Sequence, residues 1–202
     1  MGNTEHTPDP VTKKKRFAID INAPFILWMT GIALVFLIID LTSGGFIRST
    51  FAVRRTSFAD PMQYIRLFTY VLVHANPAHY FGNFMMILAI GPMVEEKYGS
   101  GRLCIAAVIT TLITGLGSVI FFPNVALVGA SGIVFMLILL ASFTNVRQGR
   151  LPVTVLLVAA LYLGNEVFQG LFSTDNISRI GHIVGGLCGA AFGIFYHRDK
   201  TV

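Results

Sequence analysis

The chain has 202 residues, of which 54% are hydrophobic and 12% are charged, and its formal net charge is +5. A soluble domain of this length carries about twice that charged fraction, so the composition argues against a soluble protein and favours an all-α polytopic membrane protein. The basic residues do not alternate with aromatic residues along a stripe, so no nucleic-acid partner is predicted. The partner that this composition does predict is the lipid bilayer.

The first 16 residues are polar and end in a run of basic residues, Lys13-Lys14-Lys15-Arg16. A basic run directly before an apolar span fixes the orientation of that span, with the basic side in the cytoplasm. We therefore expect residues 1–16 to form a flexible basic tail on the cytoplasmic side, followed by a first membrane span over 23–39.

The segment 41–77, called the first loop below, is neither polar enough for an ordinary exterior loop nor apolar enough for a membrane span. Apolar and aromatic residues are mixed in it with four arginines. This mixture is typical of a segment that lies half-buried in the membrane interface, beside the helices. The residues concerned are Phe46, Ile47, Phe51, Phe58, Met62, Tyr64, Ile65, Leu67 and Phe68, with Arg48, Arg54, Arg55 and Arg66.

Five further apolar stretches follow, at 79–94, 103–122, 128–144, 152–171 and 180–196. Each is near the ~20 residues that cross about 30 Å of hydrocarbon, although the stretch at 128–144 is short. Residues 17–198 are therefore predicted to form one domain with six membrane-spanning helices, and 199–202 a short C-terminal tail.

Six spans place both termini on the same side of the membrane. The tail and the turns on that side hold ten lysines and arginines, against five on the opposite side. The positive-inside rule then predicts that both termini are cytoplasmic. Ser131 and His182 would each begin their spans from the exterior side, at similar depth.

Four polar residues on three predicted helices converge at this level: Ser131, His182, His79 and Asn83. A hydroxyl beside an imidazole is the minimal activated nucleophile, and a carbonyl under attack needs hydrogen-bond donors fixed in advance. His79 and Asn83 are four residues apart and share a helix face. No carboxylate is placed to orient His182, so its orientation would depend on packing. Such a pair needs neither a metal nor an organic cofactor.

Each of these residues also has a more ordinary interpretation. A serine between small residues in a membrane helix is usually a packing site, and a membrane histidine or asparagine usually bonds a neighbouring helix. A transporter site would explain the polar cluster nearly as well as a catalytic one. Glu166, in the middle of the fifth predicted span, has no role that the sequence assigns.

Glycine recurs at every fourth position of the last span, which predicts a smooth face for close helix packing. Gly129 and Gly132 offer a matching surface on the fourth span, so we expect this face to bring His182 within reach of Ser131. A seam between two copies of the chain is the alternative. The glycines are Gly181, Gly185, Gly189 and Gly193.

The order of these motifs resembles that of the rhomboid intramembrane serine proteases. Gly129-Ala130-Ser131-Gly132 resembles the family's G-x-S-G nucleophile motif. His182, followed by Gly185 and Gly189, is similar to the catalytic-histidine helix A-H-x-x-G-x-x-x-G, with Gly181 in place of the alanine. The resemblance covers most of the chain, from about residue 66 to residue 193.

Further positions extend the resemblance around the site. His74 and the run from His79 to Asn83 match the H-x-x-x-N segment, whose histidine and asparagine bind the oxyanion in the family. Phe135 stands where many relatives have a tyrosine stacked on the catalytic histidine. The ring can still stack, although the hydroxyl is missing.

Three matches are structural. Arg66 lies where the family has the Trp-Arg pair of its first loop, with Ile65 in place of the tryptophan. Glu95 and the turn at 99–102 match the end of the second helix.

The resemblance implies a six-helix bundle with a first loop embedded in the outer leaflet and a water-accessible cavity. It assigns Ser131 as nucleophile, His182 as base, and the Ser131 N–H, His79 and Asn83 as oxyanion donors. The implied reaction is hydrolysis of peptide bonds in or near the membrane segments of single-span proteins, in the inner membrane of a bacterium. A non-catalytic rhomboid-like binder or a small transporter is the alternative.

Overall fold

The computed structural model describes residues 21–145 and 176–198, together with residues 153, 157, 160 and 161. The predicted tail 1–16, the C-terminal residues 199–202, Glu166 and most of the fifth predicted span lie outside the described residues. The helices are α1 Pro24–Thr42, α2 Phe46–Phe51, α3 Pro61–Thr69, α4 Pro77–Tyr98, α5 Ser100–Phe121, α6 Ser131–Ser142 and α7 Asn176–Arg198, with 3-10 turns at Tyr70–Leu72 and Phe143–Asn145.

The described part of the chain is helical and contains no β-strand, which confirms the all-α class. Helices α1 and α5 are long and apolar enough to cross a membrane, and Ser131–Ser142 and Gly181–Tyr196 are shorter apolar helices. These four helices lie at the first, third, fourth and sixth predicted spans, and α4 covers the second.

Helix α4 is longer than the predicted span 79–94 because local backbone signals set its ends. The side chain of Asn76 accepts a hydrogen bond from the His79 N–H (2.8 Å), and Pro77 begins the helix. Gly99, with φ of +86°, ends it. The charged residues at 95–97 remain helical, since charge limits how much of a helix enters hydrocarbon but does not stop the helix itself.

Helix α6 lies at the centre of the molecule. All eight residues from Ile133 to Leu140 are buried, and α6 packs against α4, α5 and α7. A helix that is apolar around its whole circumference belongs inside a bundle.

Helix α7 meets α6 through its glycines. A methyl group at Gly185 would collide with the backbone of Gly132, and one at Gly189 would collide with the backbone of Met136. Gly193 lies in the same way against the ring of Phe143. The backbones of the two helices therefore approach closely, and α6 covers this glycine face.

Glu95 joins the end of α4 to the start of α1. Its buried carboxylate accepts hydrogen bonds from the backbone N–H groups of Phe25 (2.8 Å) and Ile26 (3.0 Å). These are orphan donors at a helix N-terminus, where a negative charge is also favoured. Glu95 thus fixes α1 against α4.

The first loop folds into α2, α3 and the 3-10 turn, and polar contacts hold its shape. The Arg66 guanidinium donates to the Thr50 carbonyl (2.8 Å) and pairs with Asp60 (3.1 Å). Asp60 also caps α3 by accepting from the Met62 N–H (3.0 Å), a bond that lowers the pKa of this carboxyl below its ordinary value.

A second ion pair ties the first loop to the end of α1. Asp40, 2% exposed at the end of α1, accepts from the backbone N–H of Arg48 (2.8 Å) and pairs with its guanidinium (2.6 Å). The same guanidinium donates to the Ala75 carbonyl (2.9 Å). One arginine therefore connects α1, α2 and the residues that lead into α4.

Candidate active site

Ser131 is the first residue of α6. Gly129 before it has a φ of +108°, in the left-handed region that favours glycine, and Ala130 supplies no side-chain cap. The first N–H groups of a helix have no intrahelical acceptor and carry a partial positive charge. The Ser131 hydroxyl therefore lies beside a local concentration of N–H donors.

Gly129 also lies directly against His79 and Asn83. A methyl group at this glycine would lie 2.7 Å from Nε2 of His79 and 3.4 Å from Nδ2 of Asn83. The one-turn spacing on α4 places both side chains on the face that meets this turn. The fold thus places His79 and Asn83 against Gly129, which is two residues before Ser131 in the chain.

The Asn83 amide is buried without a hydrogen-bond acceptor. Its residue is 8% exposed, and Nδ2 has no partner within the described part of the chain. Leaving a buried donor unpaired costs about 1–3 kcal/mol, so an unpaired buried donor needs an explanation, and a catalytic role is one of those known. The position beside Gly129 makes Asn83 suitable for binding a substrate oxygen near Ser131.

His182 lies on α7 and is half-buried. Its ring stacks on Phe135 of α6, with the ring centroids 4.3 Å apart and the planes 9° from parallel. Gly132 follows Ser131 in the chain, and Gly181 precedes His182. A methyl group at Gly132 would lie 3.4 Å from the Gly181 carbonyl oxygen. His182 is also close enough to His79 for their imidazoles to interact electrostatically. The structure therefore gathers Ser131 and His182 at one end of the α6–α7 contact.

His74 supports the turn before Ser131 and is not an oxyanion ligand. Its Nε2 accepts the backbone N–H of Ala130 (3.4 Å), so its Nδ1 carries the proton that faces the Leu72 carbonyl (3.4 Å). The ring is 1% exposed and meets the His79 ring edge to face at 5.1 Å. Burial lowers the pKa of His74, and the charge of His79 lowers it further. The neutral ring fixes the turn that precedes Ser131.

A threonine on α5 is a neighbour of the site that sequence reasoning missed. Thr110, Thr114 and Ser118 recur every four residues and are buried. Thr114 lies against both Gly132 and Gly181. Threonine is too common in membrane helices for its spacing alone to mark this position.

No group of three or more His, Cys, Asp or Glu side chains within the described ranges is arranged to hold a metal ion. The functional groups that do converge are a hydroxyl, two imidazoles, an amide and the N-terminus of α6. Together they suit nucleophilic attack on a carbonyl group.

Comparison with protein families identifies relatives of this chain. The family model described as the Rhomboid domain matches residues 61–199. The chain belongs to the rhomboid family. Membership confirms the resemblance inferred from the motifs and, with the apolar helices, indicates an integral membrane protein.

Individual rhomboid relatives come from distant organisms. Rhomboid-related protein 2 of Mus musculus is 32% identical over 152 residues, covering 68% of this chain and 50% of the relative. Rhomboid protease GluP of Bacillus subtilis is 26% identical over 167 residues, covering 79% and 32%. Rhomboid-like protease 1 of Toxoplasma gondii is 29% identical over 144 residues, covering 66% and 47%.

The chain spans half or less of the length of these three relatives. The matched Rhomboid domain, residues 61–199, contains every residue of the site described above. Two of the three relatives are named as proteases, so proteolysis is an activity found within this family.

Proposed function

We propose that this chain is an intramembrane serine endopeptidase in which Ser131 is the nucleophile and His182 the base. The observation that carries the proposal is the buried, unpartnered Asn83 amide beside Gly129, two residues before Ser131. A packing serine has no need for a donor of this kind, whereas an acyl-transfer site does.

The reaction proceeds in two halves. Ser131 Oγ attacks the carbonyl carbon of the scissile peptide bond as His182 takes the hydroxyl proton, and the C–N bond breaks as His182 passes that proton to the leaving amine. Water then attacks the acyl ester while His182 accepts its proton. The ester C–O bond breaks, the carboxylic acid leaves, and the proton returns to Ser131.

The oxyanion of each tetrahedral intermediate is held by three groups. The N-terminus of α6 supplies the backbone N–H of Ser131. Asn83 and His79 supply side-chain donors. A preorganised donor of this kind is worth about 3 kcal/mol in the transition state. The parallel ring of Phe135 sets the plane of the His182 imidazole.

The domain acts in this proposal as a six-span bundle over residues 17–198, with both termini in the cytoplasm and the first loop in the outer leaflet of a bacterial inner membrane. Its substrates are single-span membrane proteins with a small residue before the cleaved bond.

The test uses purified full-length chain in proteoliposomes with a panel of single-span proteins. Ser131→Ala should reduce cleavage to background, and a fluorophosphonate should label Ser131 of the unmodified chain. Ser142→Ala is the matched control, since this serine lies on the same helix and its hydroxyl donates to the Ile138 carbonyl (3.0 Å). Asn83→Ala should lower kcat/KM about 100-fold without lowering the unfolding temperature.

Residual turnover in pure Ser131→Ala protein would contradict the nucleophile assignment. A chain that binds membrane segments but is neither labelled nor able to cleave would be a non-catalytic rhomboid-like binder or a transporter.

A further inference from the structure

Among the described residues, carboxylates neutralise only two of the four arginines of the first loop. Arg48 pairs with Asp40, and Arg66 pairs with Asp60. Asp60 is the only acidic residue in the segment 41–77. The loop therefore keeps two positive charges that are not compensated within it.

The two remaining arginines are adjacent, at positions 54 and 55. Arg54 donates to the Ser49 carbonyl (2.8 Å), which satisfies one of its five N–H groups. Arg55 is exposed and forms no ion pair or side-chain hydrogen bond with the described part of the chain. Two uncompensated cations beside a membrane surface attract an external anion.

Apolar side chains on the same loop indicate where that anion is found. Phe58 is 69% exposed, and Tyr64, Ile65 and Phe68 of α3 are exposed as well. Aromatic residues are enriched at the level of the lipid headgroups, and the apolar side chains of an interfacial segment enter the adjoining acyl chains. The anionic groups at this level are phosphates.

We propose that Arg54 and Arg55 form a binding site for the headgroup of an anionic phospholipid in the leaflet that holds the first loop. The charge complementarity is local, since each Lys or Arg close to an anionic membrane surface strengthens binding about fivefold.

The site adjoins a direct link between the first loop and the turn before Ser131. Val53, fully buried, exchanges two main-chain hydrogen bonds with Leu127 (3.1 and 2.9 Å). Arg54 follows Val53 directly, and Leu127 is two residues before Gly129. If the proposed protease function holds, a bound headgroup would steady this link and raise the rate of cleavage.

Lipid binding is measured apart from catalysis, in the Ser131→Ala background. Native mass spectrometry of the full chain with mixed phosphatidylglycerol and phosphatidylcholine should show preferential retention of phosphatidylglycerol. The variant R54Q/R55Q lacks both charges and should lose about 25-fold of this preference. The matched variant R54K/R55K keeps both charges and should retain most of it.

Equal phosphatidylglycerol retention in R54Q/R55Q would overturn the proposal. So would an equal loss in R54K/R55K, because it would show that the shape of the loop and not its charge had changed. These outcomes do not depend on whether the chain is a protease.

The rate consequence is measured with Ser131 intact, in vesicles of phosphatidylcholine with and without phosphatidylglycerol. Phosphatidylglycerol should accelerate cleavage by the unmodified chain and much less by R54Q/R55Q. A loss in R54Q/R55Q that is the same in both vesicles and confined to substrates with acidic flanks would assign the arginines to the substrate protein and overturn the lipid proposal.

Discussion

The α6–α7 contact and the first loop are built on opposite physical principles. Between α6 and α7, glycines bring two backbones together, so the contact depends on shape alone. In the first loop, arginine–carboxylate pairs and a helix cap hold irregular backbone in place. Close packing in lipid tolerates no added volume, whereas polar attachments tolerate volume but depend on charge. The proposed nucleophile and base depend on the first kind of contact, and the turn that supports them depends on the second.

The largest effect is expected from one added methyl group in the α6–α7 contact. In Gly185→Ala, the new Cβ would lie 2.8 Å from the Gly132 carbonyl carbon, so the helices must separate. We expect a loss of about 3 kcal/mol in the free energy of unfolding, measured in detergent, and a fall in kcat/KM.

Gly117→Ala on α5 is the matched control, because nothing lies within 4 Å of its Cβ position. It should be neutral or slightly stabilising, since alanine favours a helix. Equal stability of both variants would show that the glycine contact is looser than described.

A smaller loss in the free energy of unfolding is expected when an ion pair that attaches the first loop is removed. Arg48→Gln leaves the Asp40 carboxylate buried without its ion pair and removes the bond to the Ala75 carbonyl. Breaking a fully buried pair costs 3–5 kcal/mol, but the Arg48 side chain is 44% exposed, so we expect about 2 kcal/mol.

Arg55→Gln is the control for this change, because Arg55 is exposed and has no carboxylate partner. Its effect on unfolding in detergent should stay within about 0.5 kcal/mol. If Arg48→Gln were as mild as the control, the Arg48–Asp40 pair would not be what attaches the loop.

The smallest expected effect is a pH dependence of the free energy of unfolding. It comes from His74, which joins the first loop to the turn before Ser131. The pKa of His74 in the folded chain lies below its ordinary value of 6.5. As pH falls below 6.5, the unfolded chain binds a proton that the folded chain does not, so stability decreases toward the lowered pKa. The slope from this group should be at most about 1.4 kcal/mol per pH unit.

His74→Asn removes this titration, so the free energy of unfolding should vary less with pH between about 6.5 and 5 than it does in the unmodified chain. Unfolding temperatures recorded across that range measure the difference. Identical pH profiles for the two proteins would mean that His74 is not held neutral by the fold.

Much of the framework was predictable because membrane helices leave periodic and compositional signals. The apolar stretches predicted the positions of α1, α4, α5, α6 and α7, and the ordered motifs predicted the family, which the Rhomboid domain match confirms. The glycine spacing on α7 predicted the face that packs against α6. The His79–Asn83 spacing predicted the face of α4 that holds both side chains. The roles of Ser131 and His182 in catalysis stay a prediction.

The contacts that could not be predicted join irregular segments far apart in the chain. Ala130 and His74 are 56 residues apart, and Arg48 and Ala75 are 27 apart. No helical period connects such pairs, because the loop backbone between them follows no regular repeat. Thr114 was missed for a different reason, since its role depends only on what packs against it.

The amino-acid sequence by itself determined that this chain enters a membrane, which family it belongs to and which residues are candidates for chemistry. These properties follow from hydropathy, charge and local spacing, all of which are written along the chain. Only the tertiary structure decided that His74 supports the turn before Ser131. It also decided that, within the described part of the chain, the Asn83 amide has no hydrogen-bond partner and two arginines of the first loop pair with no carboxylate. These properties depend on burial and on partners from distant segments, which only the folded chain brings together.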